Sequence, residues 1–204
     1  MRTKTKALAL ALCAVLLVVT TVFVTMAFLT SKDSVKNTFT VGKVTITLDE
    51  ADVKSDGTYV SNKEARVDTN EYKLIPGHTY IKDPTIHVAD DSEECWLFVK
   101  VENGLEDIID AKTIEDQMND NGWSSVAGET NIYAYEKIAT AKTGDYKVFD
   151  NFKLKDDADV SSYATADNED SVINVTAYAI QADGFATAAA AWAEAPSDWE
   201  TPAN

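Results

Sequence analysis

The chain has 204 residues, with 18 Lys and Arg against 34 Asp and Glu, for a formal charge of −16. An apolar fraction of 45% with only 8 Gly and 4 Pro excludes a collagen-like or low-complexity polymer and suits one globular domain. The acidity argues against a nucleic-acid binder, which needs cations to replace phosphate counterions, and against docking on anionic lipid through a basic patch.

Arg2, Lys4 and Lys6 precede an uncharged run from Ala7 to Leu29, rich in Ala, Leu and Val. A basic start before an apolar run marks an export signal. Thr25-Met26-Ala27 supplies the small-x-small pattern, so cleavage is expected between Ala27 and Phe28, making residues 1–27 a signal peptide. Left uncleaved, the run is long enough to span a bilayer, and membrane contact is expected only through it. Cys13 does not suit a lipoprotein: Leu12 is too large for the residue before a lipidated cysteine. Removal of the leader leaves Cys95 as the one cysteine, so an intrachain disulfide is excluded and the domain must rely on packing. The C-terminal run APSDWETPAN is polar and carries no sorting motif, so covalent wall attachment is not expected.

Residues 28–41 form an N-terminal segment, and residues 42–204 the main domain. Val35, Phe39 and Val41 alternate with polar residues, as in a strand with one apolar face. Val44 to Leu48 alternates in the opposite phase, which predicts either a bulge or bend at Gly42-Lys43 or two halves that belong to different sheets. Asp49 to Asn70 is polar and reads as a hairpin or long loop. Glu71 to Ile75 reads as a short strand ended by Pro76-Gly77, and His78 to Val88 as one strand broken at Pro84. Cys95 to Val101 is the strongest strand, its apolar run nearly continuous as for a strand covered on both faces. Glu106 to Met118 reads as a peripheral helix, packed on its own domain through Ile108, Ile109 and Ile114. Asn121-Gly122 is a turn. Ile132 to Ile138, Tyr146 to Leu154 and Val172 to Gln181 read as strands. Asp183-Gly184 turns the chain into a short Ala-rich helix over Phe185 to Ala195, with Phe185, Ala189 and Trp192 on one face. About eight short strands without βαβ alternation predict an all-β fold, a jelly-roll-like antiparallel β-sandwich with short peripheral helices, preceded by a cleaved signal peptide.

Several runs carry a family likeness. They are Thr25 to Thr30, Asn37 to Leu48, Leu74-Ile75-Pro76-Gly77-His78, Cys95 to Val101, and Tyr178 to Phe185 with Ala191-Trp192. Together they resemble Firmicutes (Gram-positive) proteins with a SipW-type signal peptide, among them the camelysin and TasA biofilm-matrix and spore-coat-associated proteins. The resemblance implies secretion to the extracellular matrix or cell surface, with a dedicated signal peptidase as partner during export. It also implies a jelly-roll sandwich whose subunits polymerise head to tail, each donating its N-terminal strand to the next copy. Camelysin is classed as a metallo-endopeptidase, which offers an alternative reading.

The residues weigh against that alternative. A zincin needs two His one helical turn apart with a Glu, whereas this chain has His78 and His87, nine residues apart on either side of Pro84. A mixed zinc site of His78, His87 and Asp83 is the weak metal candidate. Cys95 sits in an apolar strand with no base beside it. Acidic runs at 90–94, 116–120, 156–159 and 167–170 match no EF-hand loop, so calcium is at most a weak ligand and no cofactor is expected. A non-enzymatic protein is therefore expected, either a fibre subunit or a monomeric surface binding module. The candidate functional strand carries Val35, Phe39 and Val41, which can complete the chain's own sheet or add to the edge of a second copy.

Overall fold

The computed structural model describes residues 30–32, 43–60, 64–110, 114–163 and 172–199. The expected leader with its Ala27–Phe28 bond, the phase change at Gly42, and Val35, Phe39 and Val41 lie outside the described residues. Eleven strands are present among those described: β1 (Thr30–Lys32), β2 (Ile46–Ala51), β3 (Arg66–Val67), β4 (Thr79–Ile81), β5 (Thr85–Val88), β6 (Cys95–Asn103), β7 (Trp123–Ser125), β8 (Ile132–Tyr135), β9 (Asp145–Lys147), β10 (Asn151–Lys153) and β11 (Ile173–Gln181). Two short helices, α1 (Ile114–Asp120) and α2 (Ala188–Trp192), accompany them. The fold is all-β, and every strand pair is antiparallel. One sheet runs β1-β11-β6-β8-β7, a second β3-β2-β5-β9, and β10 with β4 forms a ribbon.

β6 and β11 pair along their whole length, from Ile173 opposite Asn103 to Gln181 opposite Cys95. Side chains alternate across a strand, so each of these two presents apolar groups to both faces. Cys95, Leu97, Val99, Ala177 and Ala179 enter the main core, which they share with Ile46, Ile86, Val88 and Tyr146 of the second sheet. Trp96, Phe98, Tyr178 and Ile180 face the other way, into an aromatic cluster closed by Ala191, Trp192 and Trp199. The Tyr178 hydroxyl donates to the Trp199 carbonyl at 2.8 Å and ties this C-terminal cover down.

The segment expected as one strand broken at Pro84 serves two sheets. β4 pairs with β10, whereas β5 pairs with β2 and β9. Tyr146 to Leu154, expected as a single strand, is likewise divided into β9 and β10. The two breaks face each other: Val148 donates to the Pro84 carbonyl at 2.8 Å, and Lys82 to that of Asp150 at 3.3 Å. Pro84 has no N–H for a ladder, and Asp83 turns inward to accept from Ala51 N at 2.7 Å, so both chains change sheet together.

Glu71 to Ile75 is not a strand. Its backbone is held instead by the Tyr80 hydroxyl, which accepts from Ile75 N at 2.7 Å and donates to the Lys73 carbonyl at 2.6 Å. Tyr80 leaves no room above a turn at Gly57, where φ is +76° and a Cβ would stand 2.7 Å from Tyr80 Cα. Only glycine satisfies both demands.

The helix expected over Glu106 to Met118 is interrupted: a 3-10 turn at Glu106–Ile108 is followed by an isolated bridge between Ile109 and Leu154, and α1 begins at Ile114. Ile108, Ile109, Ile114 and Met118 are all buried in the chain's own core. β8 is shorter than expected and leaves Ile138 exposed at 41%. α2 is shorter too, and its buried residues are Ala191 and Trp192, while Ala189 is exposed. Its start is fixed by Thr187, whose hydroxyl accepts from Ala190 N. Among the described residues no helix is long and apolar enough to cross a membrane.

Leu97 lies fully buried in the middle of β6. Leu97→Ala is expected to cost about 2–5 kcal/mol, through lost burial and a residual cavity. Ile138→Ala, at an exposed position, should stay within about 0.5 kcal/mol. Urea unfolding of the two variants checks the contrast.

Candidate functional site

The outer edge of β11 is paired only in part. Thr30, Ser31 and Lys32 lie opposite Ile180, Ala179 and Tyr178. Among the described residues no strand pairs with residues 173–177 on that side. An open groove of about 840 Å³ runs beside this stretch. Ile173, Val175, Leu48, Leu105 and Phe152 supply apolar lining, and Glu50, Asn70, Tyr72 and Lys82 supply polar groups.

Period 2 in β2 sorts its two carboxylates to opposite faces. Glu50 shares its face with Ile46 and Leu48 and is 4% exposed. Its carboxylate accepts from Lys82 Nζ at 2.6 Å on one oxygen and from Asn70 Nδ2 at 2.9 Å on the other. Asn70 Nδ2 also donates to the Ala51 carbonyl at 2.9 Å, and Asn70 Oδ1 accepts from Val53 N at 3.0 Å. Tyr72 stands beside them, its hydroxyl donating to the Ile81 carbonyl at 2.9 Å. Burial first, then the charges of Glu50 and Asp83, push that hydroxyl far above its ordinary value, so it remains a donor.

Asp49, on the opposite face, belongs to a second cluster. Arg66 Nε donates to Asp49 Oδ1 at 2.7 Å, and Arg66 Nη1 to Asp83 Oδ2 at 2.9 Å. His87 of β5 lies between β2 and β9. Its Nε2 is 2.9 Å from Asp49 Oδ1 and its Nδ1 2.7 Å from Asp145 Oδ1. A neutral imidazole can donate from only one nitrogen, so both contacts are satisfied only by the cation. Partial burial draws the His87 value down, but hydrogen bonds and charge from Asp49 and Asp145 outweigh it, and the net displacement is upward.

The three metal candidates do not share a site. Asp83 is 8% exposed and is held by Arg66 and Ala51 N. His87 is clamped by Asp49 and Asp145. His78 stacks edge-on against Tyr80 and sets its Nε2 2.8 Å from the Asp56 carbonyl. Among the described residues no three His, Cys, Asp or Glu side chains converge on a common point suited to a cation. Cys95 is fully buried, and burial pushes its thiol up to about 12, so it acts as a small apolar side chain. The acidic run at 167–170 lies outside the described residues.

Sequence reasoning missed Asp49, Glu50, Arg66, Asn70, Lys82 and Asp145. One signal was present: Arg66 and Arg2 are the only arginines of an acidic chain, and a planar fork with five donors suits two carboxylates at once. The pairing of Asp49 with Arg66, or of Glu50 with Asn70 and Lys82, requires the sheet register and has no local pattern.

Arg66→Ala strips the partly buried Asp83 of its counter-charge. The expected cost lies between surface and fully buried ion pairs, about 2–3 kcal/mol, read by chemical denaturation near neutral pH. The His87 clamp predicts a pH dependence. Because the folded value is raised, its stabilisation is complete below the unfolded imidazole value and fades as pH rises through the folded one. Denaturation midpoints of the unaltered protein and His87→Gln should therefore differ in acid and converge in base, and an imidazole NMR titration should place His87 above the ordinary imidazole value. Comparison with known proteins gave no match to a family model, a curated protein or a solved structure.

Proposed function

We propose that this chain is an exported structural protein of the extracellular matrix or cell surface, and that it self-associates into fibres by donating its N-terminal strand. In this reading the domain is a jelly-roll-like sandwich, and the partner is a second copy. The observation that supports it is the edge of β11, where three of nine residues are paired among the described residues. A strand that continued the β1 register would set residue 35 opposite Val175, beside the groove. Val35, Phe39 and Val41 have the period-2 spacing that such an edge accepts.

Donation from one copy to the next is a head-to-tail contact, and a head-to-tail contact that does not close yields a filament. Backbone hydrogen bonds would supply affinity, and the apolar side chains would supply register. Each apolar side chain buried in this way contributes about 1.5–3 kcal/mol before ordering costs. The leader controls the process, because while uncleaved it holds residues 28–41 at the membrane, and removal after Ala27 frees them.

The test compares residues 28–204, the same chain carrying Val35→Asp and Phe39→Asp, and residues 42–204, by electron microscopy and light scattering at matched concentration. Filaments are expected from the first alone. Folded monomers from all three would reject self-assembly. An unfolded monomer from residues 42–204, with no filaments from the first chain, would make the segment an intramolecular strand only.

A further inference from the structure

The geometry points to a covalent cross-link, an isopeptide bond between Lys82 Nζ and Asn70 Cγ formed within the folded chain with Glu50 as its acid–base group. A single carboxylate, 4% exposed, bridges an amine and a primary amide: Glu50 Oε2 lies 2.6 Å from Lys82 Nζ and Oε1 lies 2.9 Å from Asn70 Nδ2. One oxygen thus faces the nucleophile and the other the nitrogen that must leave. The Lys82 side chain is itself only 12% exposed, which limits competition from water. Asn70 Oδ1 accepts from Val53 N at 3.0 Å, so a fixed backbone donor already points at the atom on which negative charge develops. Asn70 Nδ2 is also held by the Ala51 carbonyl at 2.9 Å, which leaves the amide little freedom to turn.

The steps balance without a co-reactant. Glu50 takes a proton from the Lys82 ammonium, and the neutral amine attacks Asn70 Cγ to form a new C–N bond. The carbonyl electron pair moves to Oδ1, held by Val53 N–H. Glu50 then delivers its proton to Nδ2, the old C–N bond breaks with its electron pair going to nitrogen, and the carbonyl re-forms. The second proton lost from Nζ leaves with the departing nitrogen, so one ammonium ion is released and Glu50 is regenerated. The carboxylate is consequently a proton carrier rather than only a counter-ion.

The product ties the end of β4 to the connection between β3 and β4. Cys95 is the free, buried cysteine of the described residues, and no disulfide joins any two of them. An exported domain in that position lacks the usual covalent staple. An amide cross-link supplies one that reducing agents do not open. It requires only the folded subunit, so it stands apart from fibre formation.

The test is the intact mass of the folded full chain, measured after denaturation, followed by tryptic mapping. The expected mass is lower by one ammonia than the sum of the residues present. Residues 67–73 should appear joined to residues 74–100 through Asn70 and Lys82, with no cleavage after Lys82. Glu50→Gln should keep the full mass and yield residues 67–73, 74–82 and 83–100 as separate peptides. A full mass for the unaltered chain overturns the proposal, and this outcome does not depend on the variant folding. Loss of ammonia mapped elsewhere, for instance as a succinimide within a single peptide, overturns it equally. A cross-link persisting in Glu50→Gln would overturn the role given to Glu50.

Discussion

The antiparallel ladder between β6 and β11 is the constraint on which the rest of the molecule depends. Nine residues of each strand face one another, and the two strands carry apolar side chains on both faces. A slip of one residue would exchange the two faces of a strand. Here it would bring Trp96 and Phe98 into a core sized for Leu97 and Val99. The register is therefore fixed by volume as well as by hydrogen bonding. It also divides the molecule's apolar material in two, a core shared with the β2-β5 sheet and an aromatic layer under the C-terminal segment. That second layer explains why a five-residue helix holds its place. Propensity alone does not stabilise so short a helix, but Trp192 against Phe98 at 5.0 Å and Trp199 stacked on Tyr178 at 4.8 Å do.

Excess negative charge shapes the second sheet. In a chain with almost twice as many carboxylates as cations, a single cation can hold two carboxylates. Arg66 holds Asp49 and Asp83, and Lys153 reaches Asp110 and Asp156. Exposed pairs of the second kind contribute little. The Arg66 pairs matter because they fix the place where two chains change sheet, and because the shared Asp49 carboxylate passes the demand for positive charge on to His87. The imidazole is thus recruited as a counter-ion between neighbouring strands. Its two carboxylates use both ring nitrogens, which explains why it is not free to ligate a metal with His78.

Elements covered on both faces were legible in the sequence, because a continuous apolar run states its own environment. β6 and β11 were read nearly to their ends, and the turns at Gly122 and Gly184 followed from local chemistry. Strand changes between sheets were not legible. Tyr146, Val148, Phe152 and Leu154 alternate well enough for one strand, and nothing local shows that Asp150 faces the Lys82–Pro84 break. Glu71 to Ile75 has strand-like composition, yet its backbone is satisfied by a hydroxyl from five residues beyond its end. β1 was missed because its three polar residues carry no periodic signal; the edge of β11 defines it. The metal candidates failed for a related reason. Chain proximity around Pro84 suggested a common site, but period 2 and the change of sheet send His78, Asp83 and His87 to separate partners. The Glu50 cluster has no sequence signature and the Asp49 cluster offers only its arginine, Arg66, since their members are brought together by register.

The edge of β11 links these observations to the proposed assembly. Among the described residues β1 covers three of its residues, whereas β6 covers nine on the opposite side. Three pairs on an outer edge form a weak contact beside the central ladder. In the proposed fibre, the segment leaving one copy makes the same kind of backbone bonds on a second copy that it would make on its own. Exchange of identical elements between copies gains little enthalpy by itself, so contacts that exist only between copies must set the balance, together with concentration. In that proposal the groove beside Ile173 and Val175 would provide apolar lining for such contacts. A strong cis pairing would abolish exchange, and a fully open edge would invite indiscriminate pairing with any extended chain. In the proposed fibre, a partly closed edge would restrict pairing to a strand of matching spacing, and the chain's net charge of −16 would oppose casual approach of further copies.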